Sequence, residues 1–88
     1  MEHNLKIAPI HFAPVADGLK HAELRINDRD YKCGDKITLN EYQGGFTGEF
    51  VDVVITHVAD VGSFVPGYVL LSIELINKEI TGEATQGA

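Results

Sequence analysis

Apolar and polar residues alternate along most of this chain, and the alternation predicts five strands and one helix. Leu5 and Ile7 alternate with polar or small neighbours over 4–8, which reads as a short strand ended by Pro9. Ile10, Phe12, Ala13, Val15 and Ala16 then supply a helical apolar face, ahead of Asp17-Gly18. Glycine at that point suits a left-handed helix stop. Pro14 is compatible with a helix of roughly two turns beginning near Ile10 or His11, because first-turn N–H groups have no intrahelical partner.

The period of two returns over 20–26, where it assigns Ala22, Leu24 and Ile26 to the core and His21, Glu23 and Arg25 to the opposite face. It recurs over 37–41 with Ile37 and Leu39. It is longest over 49–58, a β-branched run containing Val51, Val53, Val54, Ile55, Thr56 and Val58. A last strand over 68–76 places Val69, Leu71, Ile73 and Leu75 on one face. Between these lie turn-rich segments: Asn27-Asp28-Arg29-Asp30, the glycine-rich stretch from Tyr42 to Gly48, and Asp60 to Gly67. In the last, Phe64 and Val65 are expected to close over the core. The domain is assigned to 1–77, and the small polar residues of 78–88 to a disordered tail.

The predicted order is therefore β-α-β-β-β-β, a mainly β (α+β) chain. Mostly sequential, hairpin-connected strands whose edges need protection favour a small curved sheet or barrel, with the helix plugging or flanking one opening.

Composition narrows the function more than the fold. The chain has 88 residues, enough for one core and no more. Its 44% hydrophobic and 23% charged residues fit an ordinary soluble domain. The formal net charge of −6 argues against general nucleic-acid affinity. That charge is unevenly placed. Residues 1–36 balance Lys6, Lys20, Arg25, Arg29, Lys32 and Lys36 against Glu2, Asp17, Glu23, Asp28, Asp30 and Asp35. After that only Lys78 opposes seven acids, so a locally positive face is compatible with an acidic protein. A single cysteine, Cys33, rules out an internal disulfide and suits a reducing compartment. No membrane-length apolar run or signal-peptide layout is present, so a cytoplasmic location is expected. His3, His11, His21, His57 and Cys33 show no metal-ligand spacing, and no metal or cofactor is expected. Cys33 is expected to be a small packed side chain.

The densest chemistry lies in Gly18-Leu19-Lys20-His21-Ala22-Glu23-Leu24-Arg25. Together with the flanking His3-x-Leu5-Lys6, Phe12-x-x-Val15, Asn27-Asp28-Arg29-Asp30-Tyr31, Gly34-Asp35 and Thr47-Gly48, it resembles the G-x-K-x-x-E-x-R signature of ASCH domains, members of the PUA-like superfamily. The fuller pattern is similar to a bacterial and phage family of small stand-alone ASCH-like proteins of unknown function. The resemblance implies a PUA-like β-barrel with a cleft beside the signature, and RNA or a nucleotide-like small molecule as the partner.

Two readings of the segment stand. In the binding reading, Lys20 and Arg25 contact phosphate, Glu23 reads the amino edge of a base, and Tyr31 and Tyr42 offer stacking faces. Asn27 and Arg29 extend the same surface. In the structural reading, Lys20, Glu23 and Arg25 form an ion-pair cluster at the strand entrance, and Asn27-Asp28-Arg29-Asp30 is a turn. An alternative function is amide hydrolysis of an N-acetylated cytidine nucleoside, as in some ASCH relatives. Those relatives carry threonine where this chain has Glu23, so the resemblance favours a binder over an enzyme and assigns no catalytic residue. A third reading has the acidic half, residues 37–88, bind another protein.

Overall fold

The described residues form six elements: β1 (Glu2–Ile7), α1 (Pro9–Ala16), β2 (Ala22–Ile26), β3 (Lys36–Tyr42), β4 (Phe46–Asp60) and β5 (Tyr68–Glu79). The structure, a computed structural model, describes residues 1–79. The fold is mainly β with one short helix, in the β-α-β-β-β-β order that the alternation predicts. The strands form one mixed sheet in the order β1-β3-β4-β5-β2, curled into a half-barrel.

The connectivity is less sequential than hairpins alone would give. β3, β4 and β5 form an antiparallel meander, but β1 pairs in parallel with β3, Glu2 beside Lys36 and Leu5 beside Leu39. β2 crosses to the far side and pairs antiparallel with β5. β1 and β2, close in sequence, are thus the two outer strands, and their unpaired edges face each other across a seam.

The curl comes from β4. Register shifts between Asp52 and Val53 and between Ile55 and His57 interrupt its ladder with β5, and such irregularities bend a strand and increase its twist. Val51, Val53 and Ile55 stay on the concave side with Ile37, Leu39, Val69, Leu71 and Ile73, all buried. Phe12 and Val15 of α1 complete this core, and the helix packs against β3 and β5. Burying one such aliphatic side chain contributes about 1.5–3 kcal/mol.

The helix begins one residue earlier than predicted, with Pro9 at its first position. Pro14 therefore sits in the second turn and removes the N–H that Ile10's carbonyl would accept. Ile10 is exposed, not part of the buried face. The helix stop behaves as predicted. Gly18 has φ +76°, its N–H donates to the Val15 carbonyl, and Leu19 and Lys20 both donate to the Pro14 carbonyl. This left-handed stop turns the chain sharply and delivers Lys20 to the mouth of β2.

Several local expectations are corrected. Phe64 is exposed and does not close over the core. Cys33 is exposed as well, its Sγ donating to the Thr56 carbonyl at 3.2 Å. The glycine-rich turn is tighter than expected, because β4 starts at Phe46 and leaves only residues 43–45 between paired Tyr42 and Phe46. β5 runs on to Glu79, so residues 78 and 79 belong to the strand; the rest of the expected tail, 80–88, lies outside the described residues. No helix among the described residues is long and apolar enough to cross a membrane.

Candidate nucleotide-binding cleft at the β1–β2 seam

The largest departure from the sequence reading is the orientation of β2. Leu24 and Ile26 are about half exposed, whereas Glu23 is buried. The register explains the inversion. Opposite residues of an antiparallel pair share a face, and Glu23 pairs with Leu71 and Arg25 with Val69. Leu71 and Val69 are core residues of β5, so Glu23 and Arg25 must point to the concave side. The apolar alternation of β2 belongs to its outer face. Inward-pointing charge on an outer strand also discourages pairing with another chain's edge.

Once turned inward, Glu23 is satisfied on both oxygens. Oε1 accepts from Lys20 Nζ at 2.8 Å, and Oε2 accepts from Arg25 Nε at 2.9 Å, with Arg25 Nη2 at 2.7 Å. Such charge-assisted bonds are short and directional. Arg25 Nη2 also donates to the Lys6 carbonyl of β1 at 3.0 Å. Arg29, on the loop after β2, makes a parallel but longer reach, Nη1 to the Asn4 carbonyl at 3.5 Å. Two guanidiniums therefore cross the seam to two carbonyls of β1, two residues apart. Arg25 is fixed by a buried carboxylate. Arg29 is held by this long bond and a 3.9 Å approach to Asp28.

A cleft of about 380 Å³ opens along this seam. β1 contributes Lys6 and Ile7, β2 contributes Glu23 and Arg25, and the following loop contributes Asp28, Arg29 and Tyr31. Tyr68 of β5 and His11 of α1 complete its walls. Tyr31 is almost wholly buried, with its ring tilted against His3 at a centroid distance of 4.8 Å. Burial, the largest cause, pushes the Tyr31 phenol above its usual 10.0; Arg25 and Arg29 oppose the rise, while Asp28 and Glu23 add to it.

Of the six sequence-proposed residues, Glu23, Arg25, Arg29 and Tyr31 converge on the cleft. Lys20 and Asn27 do not line it. Lys20 holds Glu23 from behind, and the Asn27 N–H closes the turn against the Gly67 carbonyl at 2.8 Å. Tyr42 lies outside the cleft, beneath Lys6, whose Nζ stands 4.4 Å from the ring centroid. Lys6, His11 and Tyr68 were not among the proposed residues. Lys6 is legible in the sequence as the polar member of a short alternating strand and as part of the flank that extends the resemblance, but no pattern announces that its carbonyl receives Arg25.

A second polar centre lies beyond the cleft. Asp35 accepts from His3 Nε2 at 2.8 Å, from the Lys32 N–H at 3.1 Å and from the Met1 amino group at 3.2 Å. The His3 bond is the main reason its carboxyl falls to about 2, with the Lys32 and Met1 bonds adding to the drop against a partial offset from burial. This cluster ties the start of β1 to the loop before β3. Among the described residues no three His, Cys, Asp or Glu side chains converge to hold a metal.

The fold and site define a small half-barrel domain with a cation-lined cleft at its open seam. Residues 2–73 match the family described as Domain of unknown function (DUF3850), and the chain belongs to that family. It is also similar to an uncharacterized 12.9 kDa protein in GpA 3'region of Escherichia phage P2, with 43% identity over 70 residues. That match covers 78% of this chain and 64% of the phage protein, so the chain spans a little under two thirds of its relative's length.

Proposed function

We propose that the protein is an ASCH/PUA-like binding module that takes a nucleotide unit, free or within RNA, in the β1–β2 cleft. The observation that carries this reading is the double crossing of the seam by Arg25 and Arg29. It places two cations against a cleft whose far wall carries the partly exposed ring of Tyr68, with the buried Tyr31 in its floor. Guanidinium donors suit phosphate, and aromatic faces suit a base. Arg25 uses Nε and Nη2 on Glu23 and Lys6, and Nη1 is its remaining donor for a phosphate. Arg29 is held by longer contacts, 3.5 Å to the Asn4 carbonyl and 3.9 Å to Asp28.

The same geometry favours binding over hydrolysis. Glu23 brings no hydroxyl nucleophile, and both its oxygens are committed to Lys20 and Arg25. It therefore acts as the anchor of the cations, not as the reader of a base edge.

The test is a titration of the protein with mononucleotides and short RNAs, read by thermal shift and by fluorescence anisotropy at two salt concentrations. Binding should raise the unfolding midpoint and weaken as salt increases. Arg29→Ala should weaken binding several-fold at unchanged stability, because a phosphate contact is lost. Absence of wild-type binding at low salt would refute the proposal.

A further inference from the structure

A second hollow, of about 440 Å³, lies against the same two arginines and shares Lys6 and Leu5 with the first. It is bounded by Asn4, Lys6, Arg25, Arg29, Asn40 and Phe46, with no carboxylate among its lining residues. On a chain of net charge −6, three cations around a hollow without acids are a concentrated positive patch. Phe46 supplies its apolar surface. This ring begins β4 immediately after the tight turn and is 64% exposed. It meets Tyr42 edge-on, with centroids 5.1 Å apart and an interplanar angle of 81°. Lys6 Nζ stands 4.4 Å from the Tyr42 centroid and 5.7 Å from that of Phe46. The cross-strand pair stabilises the hairpin through the ring edge, and the hairpin gives no reason for so much of the Phe46 ring to stand in solvent.

We infer that the site continues over β1 into this hollow, and that its ligand is at least two successive nucleotides of a single nucleic-acid strand. One unit occupies the seam cleft, Arg25 and Arg29 hold the phosphodiester between the hollows, and the next base stacks on Phe46. The Asn40 side chain donates weakly to the Leu5 and Thr38 carbonyls, at 3.4 Å each, and its amide oxygen remains to accept from a base. This inference rests on the nucleotide-binding reading and adds to it a ligand length and a second contact surface.

The experiment compares mononucleotides, dinucleotides and trinucleotides, in ribo and deoxyribo forms, by isothermal titration on the wild type and on Phe46→Leu. Leucine keeps apolar contact with Tyr42 and removes the flat ring. The wild type should bind a dinucleotide about tenfold more tightly than a mononucleotide, the size expected of one base–aromatic stack. Phe46→Leu should lose that gain while its mononucleotide affinity stays unchanged. The ribo and deoxyribo series identify which strand chemistry the site prefers. Equal wild-type affinity for one and two nucleotides would overturn the inference and leave the nucleotide reading standing, whether or not the variant folds. Persistence of the gain in folded Phe46→Leu would overturn it as well. Failure of every ligand to bind the wild type would remove both.

Discussion

Arg25 Nη2 donates to the carbonyl oxygen of Lys6 at 3.0 Å, and this bond joins the two outer strands of the sheet where no backbone ladder does. A carboxylate buried behind it, Glu23, fixes the guanidinium that makes the bridge. Replacing Arg25 with alanine removes the bridge and leaves Glu23 with Lys20 alone. Breaking a well-buried pair from one side costs several kcal/mol, and the partial exposure of Arg25 reduces this. The expected loss is about 2–3 kcal/mol by urea unfolding. Arg25→Lys should recover only part, since an ammonium cannot serve Glu23 and Lys6 in one planar fork. A loss below about 0.5 kcal/mol for Arg25→Ala would place the pair among ordinary surface ion pairs and contradict its structural role.

Asp35 is expected to contribute to the acid limit of the fold. Its carboxyl is held at about 2, below the ordinary 3.8, chiefly by the His3 hydrogen bond. A depressed folded-state value means the contribution is complete above pH of about 4 and disappears as pH falls toward 2. Urea midpoints measured from pH 7 to pH 2.5 should therefore drop most steeply below pH 4. In Asp35→Asn the midpoint at pH 7 should be lower and that acid-side drop shallower. A parallel decline in the two proteins would show that other carboxylates control acid unfolding.

The inverted face of β2 gives a direct contrast. Leu24 is 49% exposed and Leu71 is fully buried, although both sit in strands of similar alternation. Leu71→Ala should cost about 2–5 kcal/mol, whereas Leu24→Thr should stay within about 0.5 kcal/mol of wild type. Comparable losses at the two positions would return β2 to the orientation that its sequence suggests.

Gly18 lies in the left-handed region at φ +76°, and a Cβ built there meets nothing within 4 Å. The effect of Gly18→Ala is thus backbone strain without a clash, about 1–2 kcal/mol. A neutral result in thermal or urea unfolding would mean that the helix stop relaxes without disturbing Lys20.

Much of this architecture is legible in the sequence. Ile37 and Leu39 alternate with polar neighbours, Val69, Leu71 and Ile73 alternate with Leu70, Ser72 and Glu74, and all five are buried as their period requires. The stop at Gly18 follows from its position after an apolar helical face. β2 is not legible, because its apolar period belongs to the outer face and its inward residues are charged. Only the pairing of Glu23 with Leu71 decides between the faces, and no local pattern encodes a long-range register. The parallel docking of β1 on β3 is hidden for the same reason. For the cleft, the charged segment pointed to Glu23, Arg25, Arg29 and Tyr31. The partner surface on β1 is made of backbone carbonyls, which every residue possesses, so side-chain identity could not reveal it.

The separation of β1 from its partner also has a kinetic meaning. The β3–β4–β5 meander closes through short turns, whereas β1 must wait for β3 and the seam must wait for β1 and β2 together. Loop-closure cost delays such distant pairings. The Arg25 and Arg29 crossings are therefore expected to form late on the way to the native state. Contacts absent from a transition state chiefly govern the rate of escape from the native basin. An oligonucleotide lying across the seam would act as a latch: stopped-flow traces should show slower unfolding at nearly constant refolding speed.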